Sequence, residues 1–252
     1  MYTEQIKAVQ GAASKKLSFL HQNPLGYFLL SMLAGMYIGF GILLAFTVRG
    51  QLQGASITKL LMGTVFGVAL SLVIIAGGEL FTGNNFVLAV GALTKQNTWL
   101  QASYLWVICW LGNACGAILL AILYNATGLQ VDGVAKALTA TAIVKTTVGP
   151  LSLLVRGILC NILVCLALWS SFQTKNDAAK LIMVFWCLLA FFTTGFEHSV
   201  ANMTLLTAAV IKPAGAVITG GAWLYNLFWV SLGNMLGAIC FLAVPYVIAA
   251  KK

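Results

Sequence analysis

Charge is scarce in this chain. Asp and Glu together number 5, Lys and Arg 14, and charged residues are 8% of a sequence that is 61% hydrophobic. A soluble domain carries about 25% charged residues, so that class is excluded and an integral membrane protein remains. Histidine is rarer still, with 2 in the chain. No His-Glu-x-x-His, no nucleophile beside a base and no phosphate-cradling glycine loop occurs, which argues against a membrane enzyme. Cys109, Cys115, Cys160, Cys165, Cys187 and Cys240 each lie in an apolar run without a Cys-x-x-Cys. They read as small core residues, and no metal or other cofactor is expected. The net charge of +9 is carried by basic residues scattered singly between apolar runs. That pattern suits the flanks of membrane helices and not a nucleic-acid surface.

What the chain does hold is a series of long apolar runs. Residues 1–24 place Ile6, Val9, Ala13, Leu17 and Leu20 at helical spacing beside Lys7, Lys15, Lys16 and His21, which predicts an amphipathic helix on the cytoplasmic membrane surface. No signal peptide is visible. Apolar segments follow at about 25–48, 58–93, 100–124, 150–172, 181–211 and 218–249, with a polar stretch between the third and fourth. They make one channel domain over 25–249 with a short tail at 250–252. Six crossings put both termini on one side. That side holds eight lysines against five Lys or Arg on the other, so both ends are expected in the cytoplasm.

Two segments are interrupted. The second breaks at Gly77-Gly78-Glu79-Leu80-Phe81-Thr82-Gly83-Asn84, the fifth at Gly195-Phe196-Glu197-His198-Ser199-Val200-Ala201-Asn202. The two breaks share a Gly-x-Glu-x-x-x-small-Asn pattern, and Leu111-Gly112-Asn113 recurs as Leu232-Gly233-Asn234 at a similar offset. The chain therefore reads as two repeats, about 25–124 and 150–249. Three crossings per repeat is an odd number, so the second repeat enters the membrane inverted, and the paired breaks mark a pathway near the midplane.

An ionisable group at membrane depth is expensive and usually faces a cavity. His198 is the histidine at that depth, and imidazole changes charge near neutral pH. It reads as the residue that gives a proton to a passing anion, against the plainer role of a neutral core histidine. Glu79 and Glu197 occur in both halves and read as structural, accepting backbone N–H groups at the breaks, against the alternative of direct substrate contact, with Asn84 and Asn202 tying the loops. Thr82 differs between the halves, being aligned with Val200, and reads as a donor to an anion or to the imidazole, or equally as a hydroxyl bonded to its own helix backbone. Lys145, just before the fourth segment, reads as a cation in the outer mouth or as an ordinary loop lysine. Arg156 lies inside that segment without an assigned role.

These motifs, with Val144-Lys145-Thr146-Thr147, Cys160-Asn161 and Asn23-Pro24-Leu25-Gly26, resemble the formate/nitrite transporter family, and the last of them its nitrite-channel branch. The likeness covers nearly the whole chain. It implies an all-helical, aquaporin-like fold of six spans, a homopentamer with one pore per protomer, and small monovalent anions and protons as cargo. It also implies His198 as the central proton-exchanging residue, Thr82 and Asn161 as its polar surroundings, and Lys145 as the anion-attracting cation. Phe66, Leu70, Leu80 and Phe191 match the family's apolar constrictions. Glu79 stands where some relatives have aspartate, and the aquaporin Asn-Pro-Ala signature is absent. The implied sequence of events is that Lys145 draws the anion in, His198 protonates it at the slit and the neutral acid crosses. A passive anion pore in which His198 is permanently neutral or permanently charged and acts only as a hydrogen-bond donor, and a pore for neutral solutes, are the competing readings. Nitrite, formate and hydrosulfide are all small weak-acid anions, and an apolar slit separates them poorly.

Overall fold

The computed structural model describes residues 2–52 and 54–250, and all regular structure within them is helical. The order is α1 (Thr3–Gln22), α2 (Pro24–Leu52), α3 (Thr58–Gly77), α4 (Phe81–Leu93), α5 (Trp99–Ala126), α6 (Asp132–Thr147), α7 (Pro150–Gln173), α8 (Asp177–Thr194), α9 (Ser199–Ile211) and α10 (Gly220–Ala250). Six of them, α2, α3, α5, α7, α8 and α10, are long and apolar enough to cross a membrane. Each of the six apolar segments expected from the sequence overlaps one of these.

Local chemistry sets the ends. Pro24 and Pro150 open α2 and α7, positions where a missing N–H is harmless. Thr98 and Gln101 close a reciprocal capping box on α5, and Asn176 and Thr219 cap α8 and α10; each oxygen satisfies a first-turn N–H. Gly195, at φ 84°, ends α8. The Gly195 and Phe196 N–H groups bond back to Phe192 and Phe191, a terminator that needs a left-handed residue. α10 widens to a π-helical turn over Ile239–Ala243. Pro245 follows, has no N–H for the Phe241 carbonyl and crowds it, and the wider turn accommodates that loss.

Two helix pairs dominate the packing, α2 with α5 and α7 with α10. Both are brought to backbone contact by glycines. A side chain on Gly116 would strike the Met32 carbonyl and one on Gly35 that of Asn113; in the second pair Gly237 meets the Ile158 carbonyl and Gly233 that of Leu154. Small residues at such crossings allow the close approach that holds membrane helices together.

Three elements differ from the sequence-based expectation. α1 is a helix, but its apolar stripe of Ile6, Val9, Ala13 and Leu20 is buried in the chain's own core and packs on α4, not spread on lipid. The expected polar stretch before Pro150 is largely α6. Its buried face is Ala135, Ala137, Leu138, Thr139 and Ala142, small and polar enough to read as a loop, and it packs against α2 and α9. Cys115 and Cys240 are exposed, not core.

Candidate functional site

The chain is extended between α3 and α4 and again between α8 and α9. Leu80 and His198 occupy the positions just before α4 and α9 with nearly the same backbone, φ −102°, ψ 124° and φ −111°, ψ 115°. This extended backbone is buried in protein, so its polar groups need protein partners. One asparagine supplies two of them in each case and ties the break to a neighbouring helix. Asn113 accepts the Phe81 N–H at 2.9 Å and donates to the Ser31 and Glu79 carbonyls at 2.7 and 2.9 Å. Asn234 accepts the Ser199 N–H at 3.0 Å and donates to the Gly157 and Glu197 carbonyls at 2.9 and 3.0 Å. The Glu79 N–H donates to the Leu30 carbonyl and the Glu197 N–H to that of Arg156, both at 3.2 Å.

The two carboxylates are held alike, and not by backbone N–H groups as expected. Glu79 takes the Lys16 ammonium at 2.7 and 2.8 Å and the Asn84 amide at 2.9 Å. Glu197 takes the Lys145 ammonium at 2.6 Å and the Asn202 amide at 2.6 Å. Tyr27 backs Asn84, and Asn226 backs Asn202. The second pair is drier, with side-chain exposures of 17% and 3% against 22% and 11%. Lys145 is therefore a partnered cation and not a free one, because a bare Glu197 at 3% exposure would carry a large desolvation cost.

His198 is 3% exposed, stacked beside Phe191 at 5.9 Å between ring centroids with an interplanar angle of 16°. Its Nδ1 accepts the Ala201 N–H at 3.1 Å, which caps α9, and its Nε2 lies 3.1 Å from the Thr82 hydroxyl. An Nδ1 that accepts has no proton, so the neutral ring carries its proton on Nε2 and donates it to Thr82 Oγ1. The Thr82 O–H is then free to donate onward. Asn161 makes no hydrogen bond to the imidazole. It donates to the Thr82 and Asn234 carbonyls at 3.1 and 2.7 Å, a brace behind α4.

Two spaces meet at this ring. On one side a cavity of about 150 Å³ is lined by Arg49, Lys59, Lys145, Phe191 and His198 among others. On the other, Ile38, Phe66, Leu70, Val164, Leu188, Phe191 and His198 line a slit with no room for a water molecule. Phe66 and Phe191 meet edge to face in it, at 5.8 Å. Leu80 is buried but outside that lining. Sequence reasoning overlooked Arg49 and Lys59, which look like ordinary helix-flanking cations; the signal was that both close the same turn, between α2 and α3. Among the described residues neither has a carboxylate within ion-pair distance.

Membrane-length helices around two braced chain breaks, with a cationic cavity leading to a dry constriction, define a polytopic transport protein. The chain belongs to the formate/nitrite transporter family, whose pattern matches residues 3–248. The nitrite transporter NirC of Escherichia coli (strain K12) is 40% identical over 258 residues, spanning 100% of this chain and 94% of that protein. The formate channel BtFdhC of Bacillus thuringiensis is 33% identical over 230 residues, 89% of this chain and 86% of that one. A solved FNT family ion channel superposes with a TM-score of 0.94 at 39% identity, covering 99% of this chain and 100% of that chain. A pentameric formate channel with formate bound superposes at 0.79 and 27% identity, covering 96% and 99%. The six-span helical fold is thus the family's, and anion transport its activity.

Proposed function

We propose that this chain works as a homopentamer in the cytoplasmic membrane, both termini inside, and passes small monovalent weak-acid anions such as nitrite and formate through each protomer. One observation carries this reading: a cationic cavity and a dry slit share His198 and Phe191. The cavity concentrates anions. The slit opposes a bare anion, because an unpaired buried charge is costly, and admits the neutral acid. In the same reading the two halves are an inverted repeat, with α3 and α4 forming one broken crossing, α8 and α9 the other. The matched Asn113 and Asn234 braces support it.

The proton has two routes. The position of His198 in both linings favours direct transfer from the imidazole to the anion. The Ala201 bond to Nδ1 favours the other route. A doubly protonated ring would set two N–H donors against each other and place a positive charge at a helix N-terminus. We adopt this second route: the anion takes its proton from hydronium that enters the cavity from bulk water, leaving a water molecule behind, and the Thr82 hydroxyl, aligned by His198 Nε2–H, donates to the acid's oxygen as it passes the ring. Lys145 keeps Glu197 neutralised while Arg49 and Lys59 hold the cavity positive.

The test is stopped-flow uptake of nitrite, formate and hydrosulfide into proteoliposomes, beside water and glycerol. Anion uptake well above the rate of empty liposomes, without glycerol uptake, is expected; glycerol uptake without anion uptake would make it a neutral-solute pore.

A further inference from the structure

Arg49 lies in the lining of two separate spaces. One is the cavity that ends at His198, and the other a basin of about 380 Å³ lined by Arg49, Gly50, Gly54, Asp132, Gly133, Lys136 and Ala137. Beside Arg49 the backbone packs closely for a reason of sequence. Gly50 of α2 and Gly133 of α6 touch backbone to backbone, so that a side chain on Gly133 would strike the Gly50 carbonyl and one on Gly50 the Val134 amide. That contact puts the last turn of α2 against the first of α6. Arg49, one residue away, is the side chain that reaches both spaces.

Its guanidinium is aimed. Nη1 donates to the Thr141 hydroxyl, which in turn donates to the Ala137 carbonyl, and Cζ lies 5.8 Å from the Phe46 ring centroid. The remaining guanidinium N–H groups have no protein acceptor among the described residues. A planar fork with several open donors fits a carboxylate or nitrite edge in a way an ammonium does not. In the basin Arg49 and Lys136 face one carboxylate, Asp132, with which neither is paired. In the cavity Arg49 and Lys59 remain unpaired while Lys145 is occupied by Glu197.

The geometry points to Arg49 as the capture residue that takes a small monovalent oxyanion from the outer basin and passes it into the cavity above His198. This rests on the anion-transport reading above. It assigns affinity to Arg49 and leaves the rate at the slit to the His198 and Thr82 pair.

The experiment is concentration-dependent uptake of nitrite and formate into proteoliposomes for wild type, Arg49→Gln, Arg49→Lys and Thr141→Val, at low and high ionic strength. Arg49→Gln should raise the half-saturating anion concentration about tenfold, the loss of one charge-assisted hydrogen bond, with the maximal rate kept. Arg49→Lys restores the charge but not the fork and should recover only part of the loss. Thr141→Val keeps the charge but releases its aim and should cost about threefold. Raising the salt should shrink the difference between wild type and Arg49→Gln. Unchanged half-saturation in the Gln and Lys variants, with wild type transporting, would overturn the capture role alone. A wild type that moves no anion would instead overturn the transport reading. Should Arg49→Gln fail to assemble, the Lys and Thr141 variants decide: a maximal rate that falls with unchanged half-saturation overturns the inference.

Discussion

The two breaks are built from one plan and finished differently. In both, an asparagine from the following long helix satisfies the extended backbone, and a glutamate is neutralised by a lysine and an asparagine. Besides Thr82 against Val200, two differences stand out. The residue before α4 is Leu80 and that before α9 is His198, and the glutamate's lysine comes from the N-terminal helix in the first half but from α6 in the second. What recurs is what any chain break at this depth needs, since an unpaired buried N–H or carboxylate is costly wherever it sits. What differs is where a function separate from stability resides.

Making the second half resemble the first is the strongest way to break the comparison. His198→Leu removes both the cap on α9 and the partner of Thr82. Uptake should fall about a hundredfold, the consequence of roughly 2–3 kcal/mol lost at a dry site, while pentamer yield holds. Leu80→His should not create a second pathway, because no Thr82 equivalent faces it; Val200 stands there instead.

Stability should follow burial of the two ion pairs. Glu197→Gln leaves Lys145 charged and unpartnered at 17% exposure, a defect of about 3–5 kcal/mol that lowers the unfolding temperature of the detergent-solubilised protein. Adding Lys145→Met should restore much of it. Glu79→Gln should cost less, since Lys16 is the more exposed lysine, and comparing the two melting curves checks the ranking.

The braces should be closer to equal. Asn113→Ala and Asn234→Ala each strip three hydrogen bonds, and each should destabilise by about 2–3 kcal/mol. A gap between them larger than the Glu197 and Glu79 gap would show that the halves share a sequence pattern without sharing its energetics. Lys16→Met leaves Glu79 charged and unpartnered at 11% side-chain exposure, and should lower stability by about 3 kcal/mol, more than Glu79→Gln, measured in the same melts.

Much of this fold was legible because hydrophobicity reports membrane spans directly. The six apolar runs each overlap a membrane-length helix, and the glycines with Glu and Asn at positions 77–84 and 195–202 stand out against apolar surroundings. α6 was not legible, since its buried stripe of alanines and Thr139 has little hydrophobic contrast. The pairing of Lys16 with Glu79 joins residues 63 apart and leaves no local trace. Lys145 was readable as important but not as partnered, because its carboxylate lies on another helix entry. Arg49 and Lys59 were hidden by their position, as cations at helix ends are what any membrane protein has. The tautomer of His198 follows only from the Ala201 N–H it caps.

The central claim is that His198 stays neutral and serves as a donor at the slit, and nitrite and formate uptake by wild type and His198→Asn across external pH tests it most directly. Asparagine is a good cap and keeps the Ala201 bond, but it is too short to hold that bond and reach Thr82 as well. The account predicts that uptake by the variant falls about tenfold at every pH and still rises as pH falls in parallel with wild type. A variant whose residual uptake no longer responds to pH would contradict it and return the proton to the imidazole.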